Sequence, residues 1–280
     1  MNESLEIRTL HSSNEMKLVQ QLEEEVWKMS AIPIHQTVTA AKNGGIMLGA
    51  FHQEKLVGFS YGFAGFDKKQ TYLCSHMLGI HPEYQDQGIG AKLKEEQKRV
   101  AAELGYDQII WTFDPLETRN AYLNMNKLRG ICSTYFENCY GEMDDGLNKG
   151  LPSDRFKIDW WINSEHVENS KGLDEIQSKE GIELFSWALT SSGMPKLGDI
   201  EHGLQQYSQY NQPLLVPVPV NIQELKKADS ELALDWRMKT RRIFQELFKA
   251  GYAAVSLQKT DGEPVHFYVL VKVQQLRINK

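Results

Sequence analysis

The 280-residue chain has little that would suit it to a nucleic acid, a membrane or a metal ion. Its 31 basic residues are outnumbered by 37 acidic ones, and the net charge of −6 argues against a dedicated nucleic-acid or membrane-surface protein. No apolar run approaches the roughly 20 residues needed to span a bilayer. The N-terminus lacks the basic-then-apolar pattern of a signal peptide. Neither HExxH nor CxxC occurs, so we expect no metal site.

Cysteine is scarce, and the three that are present, Cys74, Cys132 and Cys139, are an odd number without paired spacing. They are typical of small apolar side chains in a reducing compartment, and none stands in an obvious setting for a nucleophile. We therefore expect a cytoplasmic protein. Its 41% apolar and 24% charged residues are ordinary for a globular chain of one large or two small domains.

Hydrophobic periodicity predicts the element order β-α-β-β-β-α-β-α-β-β over about the first 165 residues. Ser12 and Glu15 form a capping box that starts the first helix. Ile46–Phe51 and Lys55–Phe66 are strand-like and joined by a short polar turn, which predicts a hairpin. Thr71–Ile80 is the next strand. This order predicts antiparallel neighbours in the first sheet.

A helix is predicted from Gly88, with an apolar face formed by Ile89, Leu93, Val100 and Leu104. Its basic side chains are expected largely off that face: Lys92, Lys94, Lys98 and Arg99. Asp114-Pro115-Leu116-Glu117 reads as another helix start, with an Asp cap and Pro at the first position. Residues 29–45 are expected to form a loop or a broken helix.

The C-terminal part of the chain predicts a small α+β unit of its own. It contains a proline-interrupted strand at Leu214–Val220, expected at a sheet edge, and a strong amphipathic helix at Ser230–Lys249. A final hairpin follows. We therefore predict two domains, residues 1–165 and residues 166–280.

The stretch QDQGIG, Gln85–Gly90, stands between a predicted strand and a predicted helix. A helix N-terminus carries unpaired N–H groups and the positive end of the macrodipole, so this stretch is either a phosphate loop or a plain turn. A Walker A loop is excluded because Gly90 is followed by Ala91 and Lys92. A Rossmann fingerprint is excluded because residue 93 is Leu and the preceding strands form hairpins.

The longer run LGIHPEYQDQGIGAKL, Leu78–Leu93, resembles the acyl-coenzyme A motif of the GNAT N-acyltransferase superfamily, and the element order is similar to the GNAT fold. WTFDPLETRNAYLN and NKGLPSDR are similar to runs in a bacterial branch of predicted GNAT acetyltransferases, associated with N-acylation of amino acids. The resemblance implies an α/β fold of α+β type, with a mixed, largely antiparallel sheet flanked by helices. It also implies transfer of an acetyl or succinyl group from acyl-CoA to a small amine or amino acid, in a ternary complex.

The resemblance further implies how coenzyme A would be bound. Backbone N–H groups of the glycine turn would hold the pyrophosphate, and the backbone at Leu78 and Ile80 would pair with the pantetheine arm like an added strand. Lys92 would reach an outer phosphate or would be a solvated lysine, and two asparagines would lie near the far end of the arm. The implied coenzyme-binding residues are Leu78, Ile80, Gln85, Asp86, Gln87, Gly88, Ile89, Gly90, Ala91, Lys92, Asn120 and Asn126.

His76 is the predicted general base. It lies on the strand that would flank the thioester, we expect it to share a face with Leu78 and Ile80, and an ordinary histidine pKa near ~6.5 suits a base at neutral pH. The alternative is that His76 is a half-buried histidine that packs within the sheet and has no catalytic role. The sequence does not identify the proton donor, because many relatives carry a tyrosine where this chain has Asn126. Water or another tyrosine could serve: Tyr122, Tyr135 or Tyr140, of which Tyr140 is the one we select.

Arg155 is the predicted acceptor-binding residue, because an arginine after a glycine-proline turn could clamp a carboxylate. It could equally pair with Asp154 or Asp159. A rival to the enzyme is a degenerate GNAT domain that binds coenzyme A, or a partner, as a non-catalytic sensor. A homodimer is compatible with the sequence, since GNAT proteins often form dimers.

Overall fold

The computed structural model describes residues 5–28, 30–142, 149–169, 171–177 and 179–278. The chain divides into two compact units, each of which is described by itself. Unit 1 comprises Met1–Trp111 and Trp161–Asn163, and unit 2 comprises Thr112–Trp160 and Ser164–Lys280. One unit boundary falls close to the predicted domain boundary at residue 165, and the boundary after Trp111 was not predicted. The two-domain division 1–165 and 166–280 stays a prediction.

Unit 1 is built on one sheet with helices around it. Its strands are β1 Leu5–Thr9, β2 Ile46–His52, β3 Lys55–Phe66, β4 Thr71–Ile80 and the first residues of β5 Gln108–Phe113. They are ordered β1-β2-β3-β4-β5, and all neighbours are antiparallel except β4 and β5. The helices are α1 Ser13–Trp27, α2 Ile34–Lys42 and α3 Ile89–Glu103, with a short 3₁₀ turn at Pro82–Tyr84.

The core of unit 1 forms where α1 packs on β2 and β3. Its buried members are Leu10, Met16, Val19, Leu22, Met47, Phe51, Leu56, Phe59 and Tyr61. The predicted capping box is present, since the Ser12 hydroxyl accepts from Glu15 N and the Glu15 carboxylate accepts from Ser12 N. The predicted hairpin and the strand that follows it are confirmed as well.

Of the two alternatives expected for residues 29–45, a loop or a broken helix, the structure favours the helix, because α2 occupies Ile34–Lys42 within this range. Pro33 directly precedes the helix, where its fixed φ suits a helix start. Of the described positions of α2, only Thr37 is fully buried. Its apolar residues Ile34, Val38, Ala40 and Ala41 are partly buried against the core of unit 1.

Unit 2 is built from the remaining strands and a long helix. Its strands are β6 Ile131–Phe136, β7 Arg155–Trp161, β8 Ile182–Glu183, β9 Trp187–Leu189, β10 Pro195–Leu197, β11 Leu214–Pro219, β12 Tyr252–Gln258 and β13 Val265–Lys272. The sheet order is β7-β6-β12-β13-β11-β8, antiparallel except between β11 and β8, and β9 pairs with β10 separately. The helices are α4 Thr118–Ala121, α5 Glu165–Glu168, α6 Lys171–Gln177, α7 Glu201–Gln206, α8 Ile222–Ala228 and α9 Ser230–Lys249.

Aromatic packing defines the core of unit 2. The Phe156 and Phe244 rings meet edge to face with centroids 4.7 Å apart, and the Phe244 and Tyr268 centroids are 5.3 Å apart. The predicted amphipathic helix is confirmed as α9, which is capped by the Asp229 side chain. Its buried face holds Trp236 and, unexpectedly, Arg237.

The predicted start of the next helix, at Asp114, is wrong. Asp114 Oδ1 accepts from Leu116 N at 2.8 Å, which closes a local turn instead of capping a helix. The helix begins later, as α4 at Thr118, and continues as a π-helical turn over Tyr122–Lys127. The sequence signal for an Asp cap and the signal for an Asp turn are the same, so only the structure separates them.

The prediction of an edge strand near residue 214 is wrong for its first two residues, because Leu214 and Leu215 pair with β8. Beyond that pair, Pro217 and Pro219 have a described strand partner only on β13. This is the arrangement that a missing N–H favours. The fold class is confirmed: an α+β structure with largely antiparallel sheet flanked by helices. In the described part of the chain, no helix is long and apolar enough to cross a membrane.

Candidate active site

The turn between β4 and α3 places a glycine at the start of the helix for a backbone reason. Gly88 is the N-cap of α3, with φ 76° and ψ 6°, in the left-handed region that glycine reaches without strain. Asp86, two residues earlier, also has a positive φ of 65°. The backbone conformation alone therefore explains why residue 88 is glycine.

Gly90 has no such backbone reason. A Cβ added there would meet only Leu78 Cδ2, at 3.6 Å, which is an ordinary contact. At Gly88 no atom lies within 4 Å of the added Cβ, apart from its chain neighbours. The fold itself would thus accept a side chain at residue 90. The two glycines leave an open approach to the backbone at the start of α3.

The start of α3 also lacks the side chains that usually neutralise a helix N-terminus. No side chain caps it, and its first turn holds no acidic residue. By contrast, α1 has the full capping box of Ser12 and Glu15. The first N–H groups of α3 have no partner within the helix, and the macrodipole adds partial positive charge. This end of α3 is a candidate anion site.

Two glutamines brace the turn by their side chains. Gln85 Nε2 donates to the Ile80 carbonyl at 3.4 Å, and Gln87 Nε2 donates to the Glu83 carbonyl at 3.2 Å. The Gln85 backbone N–H also donates to the Pro82 carbonyl at 3.4 Å, so at this residue a ligand would compete with a contact within the turn. Lys92 is exposed at the end of the first turn of α3.

The sheet of unit 1 opens beside the glycine turn. Strand β4 pairs with β5 only at Leu73↔Ile109 and Cys74↔Ile110. The other edge of β4 stays paired with β3 as far as Ile80, opposite Gly58. Among the described residues of unit 1, no strand pairs with β4 on the β5 side between Ser75 and Ile80. We call this opening between β4 and β5 the fork.

His76 lies at the fork, but the structure corrects the face that we expected for it. Tyr61 pairs with Met77 and Gly62 pairs with Ser75, so His76 is the extra residue of a β-bulge. Leu78 lies against α3, beside Gly90. The His76 ring lies instead against Tyr61 and Phe63, with centroids 6.0 and 5.7 Å away. The bulge shifts the alternation by one residue, so His76 and Leu78 face opposite sides of the sheet.

The surroundings of His76 favour its neutral form. The side chain keeps solvent access, yet the two aromatic rings desolvate one side of it. Partial burial lowers the pKa of His76 below its usual 6.5. A neutral imidazole near pH 7 can accept a proton.

Lys94 is the residue of unit 1 that the sequence reading missed. It was expected off the apolar face, but only 3% of it is exposed. The buried positions of α3 are Ile89, Leu93, Lys94, Gln97 and Ala101, and at about 100° per residue they span about 140°. Leu104, assigned to the apolar face, is 55% exposed. Polar side chains at positions 94 and 97 hid the true width of the buried face.

Polar contacts hold Lys94 in place. Its Nζ donates to Ser75 Oγ at 2.9 Å and to Gln97 Oε1 at 3.0 Å, and it lies 3.6 Å from the centroid of Trp111. Gln97 in turn donates to Ser60 Oγ at 2.9 Å. Burial lowers the pKa of Lys94 to about 7, and the nearby Cys74 thiol acts weakly in the opposite direction.

The two predicted asparagines both belong to unit 2, and they differ in availability. Asn120 is exposed on α4. Asn126 Oδ1 accepts from Leu257 N at 2.9 Å, beside the bulge of β12 at residues 254–256. The side-chain oxygen of Asn126 is thus used within unit 2, which favours a structural role for it.

Tyr140 and Arg155 lie together in unit 2. Tyr140 is 54% exposed, and its Oη shares a 2.8 Å hydrogen bond with Thr112 Oγ1. The Arg155 guanidinium carbon is 5.3 Å from the centroid of the Tyr140 ring. Arg155 itself is buried, donates to the Asp154 carbonyl at 2.9 Å and approaches Asp114 Oδ2 at 3.8 Å. The predicted pairing with Asp154 thus involves its backbone oxygen.

The remaining tyrosine candidates are held in other contacts. Tyr135 donates to Asp154 Oδ2 at 2.6 Å, and burial raises its pKa well above the usual value, which makes it a poor proton donor at neutral pH. The Tyr122 ring lies under the Lys259 ammonium, 4.0 Å from its centroid. Of the three tyrosines, Tyr140 has the freest access to solvent.

A sequence profile of the acetyltransferase (GNAT) family matches residues 7–124. The matched residues make up less than half of the 280-residue chain. The match includes the glycine turn, the bulged strand and the start of α4. No curated protein matches the sequence.

Solved GNAT structures resemble this chain at low sequence identity. The ribosomal-protein-S18-alanine N-acetyltransferase of Escherichia coli is 14% identical, with a TM-score of 0.47 over 57% of this chain and 94% of that chain. YncA of Salmonella typhimurium, solved with acetyl-CoA, is 12% identical with the same TM-score and coverage. An aminoglycoside acetyltransferase from an uncultured soil sample, bound to sisomicin, is 18% identical, with a TM-score of 0.37 over 41% of this chain and 82% of that chain. These likenesses carry no argument about the substrate.

The residues of unit 1 fit a phosphorylated cosubstrate such as coenzyme A on chemical grounds. The N–H groups at the start of α3 suit a pyrophosphate, and the free edge of β4 suits an extended, amide-bearing arm. In the described residues, no group of three or more His, Cys, Asp or Glu side chains could hold a metal ion.

Proposed function

We propose that the chain is an N-acyltransferase that moves an acyl group from acyl-CoA to a small amine or amino acid. The observation that carries this proposal lies within unit 1. An uncapped, glycine-lined helix start stands next to a strand that, among the described residues of unit 1, has no strand partner on its outer edge from Ser75 to Ile80. The first feature suits the diphosphate of coenzyme A, and the second suits its pantetheine arm.

In the proposed complex, the backbone N–H groups of residues 85–91 hold the pyrophosphate, and Lys92 binds an outer phosphate. The Leu78 and Ile80 backbones pair with the amides of the arm. The five residue steps from Ile80 back to Ser75 cover about 16 Å at roughly 3.3 Å per step. A pantetheine arm with two amides is about as long as five extended residues. The thioester therefore falls at the fork, beside Ser75 and His76.

His76 is the proposed general base. The acceptor must be a neutral amine to attack the thioester, and a histidine that is itself neutral near pH 7 can take up the proton released on attack. Acceptor and acyl-CoA bind together, so no covalent enzyme intermediate is needed. The three cysteines are free thiols, and burial raises the pKa of Cys74 and of Cys132, which makes both weak nucleophiles.

The acyl group is proposed to be acetyl or succinyl, and the acceptor a small amine or an amino acid. Arg155 is the proposed ligand of the acceptor carboxylate. Tyr140, whose ring centroid lies 5.3 Å from the Arg155 guanidinium carbon in unit 2, is the tyrosine candidate for the proton donor. Arg155→Met should raise the KM of an amino-acid acceptor by about 10-fold or more. The KM of the matching decarboxylated amine should stay unchanged. Equal effects on both acceptors would remove this role.

Calorimetry with acetyl-CoA and succinyl-CoA tests the donor, and release of the coenzyme A thiol with a panel of amino acids and small amines tests the reaction. We expect binding of at least one thioester, and thiol release that depends on an added amine. Binding without release on any amine would favour the coenzyme A sensor instead. Absence of binding by either thioester would contradict both proposals.

A further inference from the structure

Lys94 stands behind the fork and touches both of its sides. Its Nζ lies 2.9 Å from Ser75 Oγ, on the first residue of β4 beyond the last β4–β5 pair. The same atom lies 3.6 Å from the ring centroid of Trp111, the first residue of β5 beyond that pair. The cation is therefore placed where the two strands separate.

A lysine at this position has a cost that the fold does not require. Burying an ammonium group is unfavourable, and an apolar side chain would serve the packing of α3 on the sheet better. Neutral groups contact Nζ from α3, β4 and β5, namely Gln97 Oε1, Ser75 Oγ and the Trp111 ring, and Cys74 is the titratable neighbour. A buried amine at a proposed thioester site points to a chemical role.

We propose that Lys94 donates the proton that the coenzyme A thiolate needs as it leaves. This inference rests on the proposed function. The amine nitrogen forms a bond to the thioester carbon, the carbon–sulfur bond breaks, and its electron pair goes to sulfur. The proton moves from Lys94 Nζ to sulfur, giving the free thiol and a neutral lysine. The proton of the acceptor amine moves to His76, and exchange with water restores both residues.

The placement of Lys94 and His76 suits these opposite roles. The bulge turns His76 toward Tyr61 and Phe63, while Lys94 reaches Ser75 from the α3 side. Base and acid thus approach the fork from opposite faces, which keeps them from exchanging their proton directly. A lysine whose pKa is about 7 is charged in part at neutral pH and gives up its proton more readily than an ordinary lysine.

The first test measures the thiol of bound coenzyme A and does not depend on turnover. The ultraviolet absorbance of the thiolate is titrated for coenzyme A bound to the full chain, and the titration of the protein alone, including Cys74, is subtracted. The pKa of the bound thiol should be at least one unit lower than that of free coenzyme A. In Lys94→Met this shift should disappear, whereas Lys98→Met, on the same helix, should keep it. An unchanged thiol pKa in Lys94→Met would overturn the proposal.

The second test is kinetic and separates proton donation from charge alone. In Lys94→Met, kcat should fall by about 10²-fold or more, with the dissociation constant of acetyl-CoA within about 3-fold of the wild-type value. In the wild type, kcat should decrease at alkaline pH as Lys94 loses its proton, and this decrease should be absent from Lys94→Met. Lys94→Arg keeps the charge but cannot release a proton, so it should not restore kcat. A full rescue by arginine, or wild-type kcat in the methionine variant, would overturn the proposal.

Thermal unfolding of each variant checks that it is folded. A wild-type protein that binds no acyl-CoA would contradict the proposed function itself. A wild-type protein that turns over, with a fully active Lys94→Met variant, would contradict only the role of Lys94.

Discussion

Lys94 Nζ donates to Ser75 Oγ at 2.9 Å in the interior of unit 1. The pKa of Lys94 is about 7 in the folded chain, and an unfolded lysine has a pKa near ~10.4, so the unfolded state binds more protons between these values. Stability contributed by this site is therefore lost as the pH falls from about 10 toward 7. Below about pH 7 the lysine is charged in both states and the loss is complete.

We predict that the stability difference between wild type and Lys94→Met grows in favour of wild type as the pH rises from about 7.5 to 9. The slope should be at most about 1.4 kcal/mol per pH unit, the value for one proton. Urea unfolding of wild type and Lys94→Met at the two pH values measures this slope. Both chains should carry Cys74→Ala, because burial raises the pKa of that thiol and its own titration would add to the pH dependence. A stability difference that does not change with pH would contradict the lowered pKa.

Asp154 and Arg241 form a largely buried ion pair in unit 2. Asp154 is 0% exposed and accepts from Arg241 Nε and Nη2, both at 2.8 Å, as well as from Tyr135 Oη. Asp154→Asn should lower the free energy of unfolding by about 3 kcal/mol, because it removes the fully buried carboxylate that accepts from Arg241 and Tyr135 and leaves Arg241 paired with the more exposed Glu137. Denaturant unfolding measures the loss. Glu201→Gln, which breaks an exposed pair with Arg242, is the control and should have little effect.

The titration of His76 should determine how kcat/KM depends on pH on the acidic side of its pH profile. Because its pKa lies below 6.5, kcat/KM should rise with pH below that value, and it should fall again above about pH 7 as Lys94 loses its proton. His76→Gln should reduce kcat/KM by about 10²-fold and remove the rise. His202→Gln, at an exposed histidine of α7, is the control. Full activity of the His76 variant from about pH 6 to 9 would remove its assignment as the base.

Much of the fold could be predicted from local sequence signals. The capping box of α1 and the alternation in β2 and β3 depend on neighbouring residues, so they are legible in the sequence. The glycine turn was found because a helix start and two glycines coincide within a few residues. Ser230–Lys249 was found because twenty residues of apolar periodicity leave little room for another structure.

The features that were missed depend on residues far apart in the chain. The bulge at His76 is set by the register between β3 and β4, and it reverses the face that simple alternation assigns. Lys94 is buried because its partners Ser75 and Trp111 lie 19 and 17 positions away on two strands. Charge alone places a lysine on the surface, and no local signal marks an exception.

The glycine turn supports the central claim, and Gly90 is the residue whose substitution tests it most directly. An added Cβ at residue 90 meets only Leu78, at 3.6 Å, so Gly90→Val should leave the stability of the chain nearly unchanged. Its side chain would stand where the pyrophosphate approaches the N–H groups of α3. Ala102→Val, at an exposed position of the same helix, is the matched control.

The decisive measurement is calorimetric titration of acetyl-CoA into the wild-type chain and these two variants. We predict that wild type and Ala102→Val bind with equal affinity, and that Gly90→Val binds at least about 10-fold more weakly, a loss of about 1.4 kcal/mol. Equal binding by all three, or no binding by the wild type, would contradict the assignment of the start of α3 as the acyl-CoA site.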